Sequence, residues 1–374
     1  MQWSIIKDKE VVFSLVCIVA IIILLMLPTG FEKQIYTNAE HVKVKVLETN
    51  ESGVYNSGLL KLGRQECIVE VLEGTFKGEQ IEAANLLSGR LEVDKLFASG
   101  DKALALIEKT EDGEVLDANV LDYYRLNLEG LLVLLFMGAL ILFSGKTGIR
   151  TIISFVLSLL CMWKVLVPGL LRGYHPMLLG LIIGMTMAIV TLLLVAGFTE
   201  KAYCAILGMG AASVMTCIMA IGFGNLFKIH GSVMPWSESL LYSGYQHLDL
   251  TKIFQSAIYL SCSGALVDLA VDISAAIEEV VDKKPTISRK EILRSGLNIG
   301  RSVVGSQTTT LLLAYMGSFI TVMMVYMAQG TPMVSILNGQ SMASEILHTL
   351  VGCLGLVIVS PMTAFICSLR YKRY

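Results

Sequence analysis

The sequence predicts an α-helical polytopic membrane protein of about eight transmembrane helices, both termini cytoplasmic, with a small all-β extracytoplasmic domain inserted between helices 1 and 2. Three observations carry this expectation. First, 54% of the 374 residues are apolar and 16% are charged, against about 25% charged in an ordinary soluble protein. Second, the apolar residues gather in eight stretches of roughly the 20 residues that a hydrocarbon core of about 30 Å requires. Third, one long polar segment interrupts them near the N-terminus. A soluble fold could not bury so much apolar surface, and the mean hydropathy is +0.67. Composition therefore excludes a cytosolic enzyme, a secreted disulfide scaffold and a nucleic-acid binder, and makes the lipid bilayer the first partner.

Taken in order, residues 1–31 form a signal-anchor helix. Lys7 and Lys9 precede an apolar run over 11–30 that is long for a cleavable signal, and no A-x-A-like site follows Leu27-Pro28-Thr29-Gly30. Residues 32–126 are the extracytoplasmic domain. Its stretch 32–125 holds 11 basic and 18 acidic side chains, a net of −7, and no span-length apolar run. Alternation at Val42, Val44 and Val46, and again at Cys67, Val69 and Val71, is strand-like. Asp112-Gly113 between two further apolar runs reads as a hairpin turn. The expected product is a small antiparallel β-barrel, OB-like or SH3-like. Cys67 is its only cysteine, which rules out an internal disulfide, and the other seven cysteines form no C-x-x-C and read as packing residues.

Residues 127–374 are expected to be a seven-helix bundle with spans at 128–145, 149–170, 177–198, 202–225, 253–277, 303–327 and 345–368. Basic loops stay cytoplasmic. With both termini inside, the inner segments collect 14 Lys and Arg residues, from Lys7 to Arg373, against Arg172, Lys228 and Lys252 outside. Lys164, near a span end, is expected to snorkel outward. Gly180-x-x-x-Gly184 is a helix-packing pattern, and His230, Trp236, Tyr242 and Tyr245 read as an interfacial belt. The segment 278–302 opens a helix with the capping box Ser288-x-x-Glu291. It is roughly amphipathic, and is expected along the inner membrane surface.

Several polar residues lie where lipid should not tolerate them. Asp268 and Asp272, four apart in span six, share one helix face with Ser261, Gly264, Ala265, Ala275 and Glu279. An aspartate at the bilayer centre costs at least about 2.5 kcal/mol on insertion scales, so this stripe must face protein or water. Asp268 lies about 22 Å from the outer end of its helix at 1.5 Å per residue. Asp272 lies closer to the inner boundary, where a structural pairing with Arg301 is the alternative. Span seven opens on Gly305-Ser306-Gln307-Thr308-Thr309-Thr310, groups that either ligate an ion or substrate or hydrogen-bond a neighbouring helix. Its expected depth is that of Asp272. Span eight begins with Glu345-x-x-His348, an acid and an imidazole one turn apart. A di-iron bundle needs two such pairs, so a pairing or proton-handling role is expected and no metal or cofactor is assigned.

These residues resemble a known family. Ser263-Gly264-Ala265-Leu266-Val267-Asp268, then Asp272, then Ser295-Gly296-Leu297-Asn298-Ile299-Gly300-Arg301, then Gly305 through Thr310 and Ala314-Tyr315-x-Gly317, are similar to the bacterial YibE/F family. So is the stretch from Glu345 to Pro361-Met362-Thr363. The chain departs from the family pattern at Gln307 and Thr309, where that pattern favours Met and Asn. The resemblance covers about 128–368, and the outer β domain marks the YibE-type member. It implies a multi-pass protein of the bacterial cell membrane, working with a YibF-like membrane partner or as a homo-oligomer.

The functional expectation is a membrane transporter or permease, proton- or cation-coupled, with Asp268, Asp272, Asn298, Arg301, Gln307, Thr308, Thr310, Glu345 and His348 as ion- or substrate-pathway candidates. Intramembrane carboxylates facing a bundle interior usually mark such paths. The alternative is a non-transporting envelope factor that binds a partner through its β domain. No catalytic residue is assigned. An aspartyl protease needs two facing carboxylates, whereas both membrane aspartates sit on one helix, and no Walker, zincin or nucleophile-elbow pattern occurs.

Overall fold

The computed structural model describes residues 2–31, 38–110 and 112–371. Lys372 and Arg373, counted above among the basic residues, lie outside the described residues. The chain divides into two compact units, Glu32–Ala139 on one hand and Met1–Phe31 with Leu140–Tyr374 on the other.

In the first unit the alternating segments become strands β1 (Ala39–Asn50), β2 (Val54–Ser57), β3 (Leu60–Val71), β4 (Gln80–Ser88), β5 (Lys102–Lys109) and β6 (Val115–Tyr123). Period-2 patterning decides which face is buried. Val42, Val44 and Val46 point inward beside Cys67, Val69 and Val71, and meet Ala103, Ala105 and Ile107 from β5. The sheet runs β1-β5-β6-β4-β3, closes through a β1–β3 pairing, and carries β2 on β3. All pairings are antiparallel except β4–β6. This is the five-stranded Greek-key order of an OB-like barrel, which decides between the two barrel types expected. Gly113, at φ +85°, makes the β5–β6 turn. A positive φ of this kind is open to glycine without steric penalty.

Inside the barrel one polar group is fully enclosed. Gln65 on β3 donates to the carbonyl of Phe97 at 2.8 Å and accepts from the Phe97 amide at 3.0 Å. Asn85 bridges Gln65 and the Lys95 carbonyl. The clamp holds the β4–β5 connection across the barrel end with each partner satisfied, the condition for burying an amide.

The second unit contains α1 (Gln2–Met26), α2 (Leu126–Cys161), a π-turn at Met162–Leu166, α3 (Val167–Leu171), α4 (Pro176–Val195), α5 (Glu200–Leu226), α6 (Ser237–Tyr242), α7 (Leu250–Lys283), α8 (Arg289–Ser318), α9 (Ile320–Ala328), α10 (Met333–Asn338) and α11 (Gln340–Arg370); the first turns of α2 belong to the barrel unit. Six helical stretches among the described residues are long and apolar enough to cross a membrane, or seven if α8 and α9 count as one bent span. Two of the eight expected spans fall in one helical stretch that is broken between them. Spans 128–145 and 149–170 fall in one stretch, Leu126–Leu171, of 46 residues. At 1.5 Å per residue it is about 69 Å long, some twice the bilayer core. It breaks at Gly145, at φ 54° and ψ −125°. Gly148 then lies against the Leu140 carbonyl, although eight helical residues would separate them by about 12 Å. The chain reverses there.

Two further expectations change. Residues 278–302 are not a separate surface helix. α7 continues to Lys283, and α8 runs unbroken from the Ser288–Glu291 capping box to Ser318, so the segment is the turn and flanks of a helical hairpin. Ile292, Gly296 and Gly300 of this stretch are buried in the bundle core, which removes the free apolar face that a surface helix needs. The expected span 303–327 is bent by 60° where α8 meets α9.

The core packs α5, α7, α8 and α11 around Leu266, Leu269, Ile273, Ile277 and Leu356. Glycines set the spacing. A Cβ on Gly296 would lie 2.7 Å from Ile277 and 2.8 Å from Ala364, and one on Gly300 would overlap Ser360. α4 lies against α7 with Gly180 and Gly184 at Ser256 and Tyr259, the close approach that small residues permit. α1 packs through Cys17 on Leu157 and Leu194. Glu10–Arg150, Lys201–Glu278 and Glu200–Arg370 ion pairs gather the basic residues at one end of this unit. At the other end Lys164 and Arg172 donate to the carbonyls of Leu27 and Thr29, each at 3.1 Å.

Candidate functional site

The 34 residues of α7 present two unlike faces. Leu266, Leu269, Ala270 and Ile273 are fully buried in the core. About 180° away, Ser261, Gly264, Asp268 and Asp272 are exposed. Among the described residues neither aspartate has a hydrogen bond or an ion pair, and the alternative pairing of Asp272 with Arg301 is absent. Asp268 borders an open cleft of about 230 Å³ lined by Ser158, Met162, Gly184, Ala188, Thr191 and Gly264. On one side the cleft is walled by α4 and the second arm of α2, and α8 flanks α7 on the other side.

The pairing of Gly296 with Ile277 and of Gly300 with Ile273 sets the antiparallel register of α8 on α7. Arg301 is then level with Asp272, and Gly305 with Asp268. The polar cluster 305–310 thus sits at the depth of Asp268 and beyond, one to two turns from the level of Asp272 that was expected. Its hydroxyls are turned back on their own helix. Thr308 donates to the Val304 carbonyl and Thr310 to that of Ser306, each at 3.0 Å. Such bonds keep hydroxyls satisfied in a span and leave only their lone pairs outward. Gln307 is half-buried, while Asn298 and Arg301 are exposed on α8. These two are not brought onto Asp268.

Span eight is joined to the stripe instead. His348 on α11 places Nε2 2.5 Å from the Ser261 hydroxyl on α7, 87 residues away. The Tyr315 ring of α8 stacks on His348 with centroids 4.4 Å apart. Glu345, one turn before His348, is half-buried. Ser261 is the first residue of the α7 stripe, so Glu345, His348, Asp268 and Asp272 form a file along one side of the bundle. From Ser261 to Asp272 it spans about 16 Å along the helix axis, half the thickness of a bilayer core.

Sequence reasoning placed Ser261 on the stripe and His348 in span eight without connecting them, and it missed Tyr315. It also missed Gln255, which is 3% exposed and donates to Asn225 at 3.0 Å beside a second cleft of about 420 Å³. A lone glutamine one turn inside an apolar span was the available signal. Among the described residues no three His, Cys, Asp or Glu side chains converge as a metal site would require.

The long apolar helices make this a multi-pass membrane protein. No curated protein and no solved structure shows a significant match to the chain. The family described as YibE/F-like protein matches residues 132–373. The match takes in the acidic stripe, the polar opening of α8 and the Glu345–His348 turn, and by it this chain belongs to the YibE/F-like family.

Proposed function

We propose that this chain is a proton- or cation-coupled membrane transporter or permease, not an enzyme, and that Asp268 and Asp272 are its coupling groups. The observation that carries the reading is the Ser261–His348 contact, which lines up an imidazole and a carboxylate of α11 with the two aspartates of α7. Groups able to exchange protons then recur over half the membrane depth, separated by small residues that leave room for water. Unpaired carboxylates at this depth are poor structural elements and good ion ligands. The bundle end holding Arg150, Lys201 and Arg370 faces the cytoplasm in this reading, both termini are inside, and the barrel lies outside the bacterial cell membrane, in accord with the positive-inside rule. Energy comes from an ion gradient, because the chain has no nucleotide-binding loop. The test is flux of protons and monovalent cations through the purified protein in liposomes. Asp268→Asn abolishes it while helical content and thermal stability are kept; wild-type flux from that variant removes the coupling role.

One observation favours a second reading, a partner-binding envelope factor. The barrel carries a cleft of about 250 Å³ on β1, β3 and β4, lined by Glu48, Asn50, Arg64, Glu66 and Glu82. If deleting the barrel destroys cellular function and Asp268→Asn is silent, the second reading replaces the first.

A further inference from the structure

We propose that a second copy of this chain packs against the outward face of α7 and α8 and covers Asp268 and Asp272. The inference goes beyond the transport reading and holds whether or not the carboxylates carry ions. The helices that pack on α7 (α4, α5, α8 and α11) leave the side of Gly264, Asp268 and Asp272 open. Gly264 on α7 and Gly305 on α8 have no atom within 4 Å of where a side chain would begin. Small residues lining an open face at membrane depth are what a closely approaching helix requires. The hydroxyls of Ser302, Ser306 and Thr309 beside them bond to their own helix, so the face is polar without being starved of partners.

Charge identifies the occupant as the chain itself. Asp268 and Asp272 on α7, and Arg294 and Arg301 on α8, are exposed and have no ion pair among the described residues. Arg301 is level with Asp272. A two-fold axis along the membrane normal keeps every residue at its own depth, so Asp272 of one copy and the partner's Arg301 meet at the same level. An isologous contact of this kind repeats each pairing twice. The Asp272 and Arg301 left unpaired on one copy are thereby complementary to those of the other.

The measurement is the mass of the full chain in lipid nanodiscs across a range of protein-to-lipid ratios. Wild type is expected to be a dimer. Gly264→Trp and Gly305→Trp place a bulky group in space that the single chain leaves open, so each keeps its helical content and weakens dimerisation by at least about tenfold. Asp272→Arg and Arg301→Asp each weaken it as well, and the double variant restores it, a pattern that misfolding does not produce. A wild type that stays monomeric at every ratio overturns the inference. So does a dimer that resists both tryptophans and both charge reversals, or a wild type that assembles only with a different membrane protein. None of these readings depends on flux.

Discussion

The barrel and the bundle treat their polar groups in opposite ways. In the barrel Gln65 is wholly enclosed, and its amide exchanges hydrogen bonds with Phe97 and Asn85. In the bundle Asp268 and Asp272 lie exposed on a membrane helix and have no hydrogen bond or ion pair among the described residues. Among the described residues, the four buried side-chain oxygens without a partner, those of Tyr259, Tyr315, Thr349 and Thr363, are also all in the bundle. A satisfied buried amide specifies a fold. An unsatisfied carboxylate at membrane depth contributes no such specificity and carries a cost. The barrel satisfies the polar group it buries, and the bundle leaves polar groups without partners among the described residues.

The largest effect that tests this contrast is on stability in the barrel. Gln65→Leu leaves the Phe97 amide and carbonyl buried without partners, at about 1–3 kcal/mol each, so the barrel should lose about 3 kcal/mol in chemical denaturation of the full chain. Asp268→Asn, by contrast, is expected to leave stability within about 0.5 kcal/mol, as for a substitution away from any packed feature. Equal losses from the two variants would erase the distinction.

A second test sets two faces of the same helical hairpin against each other. Gly296→Ala drives a methyl into Ile277 and Ala364 and should cost about 1–3 kcal/mol by overpacking. In detergent that keeps the chain monomeric, Gly264→Ala adds the same methyl to space that the single chain leaves open and should gain up to about 1 kcal/mol of helix propensity. Thermal melting in one detergent compares them directly, and similar shifts would mean that the α7 stripe is packed rather than open.

His348→Ala sharpens the comparison within the bundle. Removing the imidazole frees Ser261 and strips Tyr315 of its stacked neighbour, a loss of about 1 kcal/mol. Any proton-linked flux should also lose its pH dependence. An unchanged pH profile would detach His348 from the file of carboxylates.

The smallest effect concerns a barrel carboxylate. Glu40 is held below the ordinary glutamate range by hydrogen bonds from Lys109, at 2.5 Å, and from Thr75. With the folded pKa lowered, the pair stabilises the barrel fully above the unfolded pKa and is lost as pH falls through the folded value. Both side chains are partly exposed, so solvent screening keeps the contribution below about 1 kcal/mol. Glu40→Gln should flatten this acid limb by lowering stability at neutral pH by less than about 1 kcal/mol, the two curves converging at low pH.

Much of the fold was legible because it follows from local patterns. Hydropathy located the spans, since each must match the bilayer thickness with its own residues. Alternation at Val42, Val44 and Val46 announced a half-buried strand. Ser288 and Glu291 announced the start of α8, because a capping box involves only one turn of chain. The candidate site was legible only as separate pieces. Four-residue spacing puts Asp268 and Asp272 on one face, but nothing local joins Ser261 to His348 across 87 residues. The break at Gly145 was legible too, because Lys146 and Arg150 interrupt the apolar run between the expected spans 128–145 and 149–170.

By itself the sequence determined the membrane character, the two kinds of domain and the presence of carboxylates on one face of one helix, since each depends on composition or on the period of a single element. Only the tertiary structure decided the barrel's strand order, the continuity of α8, that Arg301 lies level with Asp272 without pairing to it, and that the acidic stripe faces outward. Those depend on which elements pack together, and packing is settled by glycine contacts and side-chain fit between segments far apart in the chain.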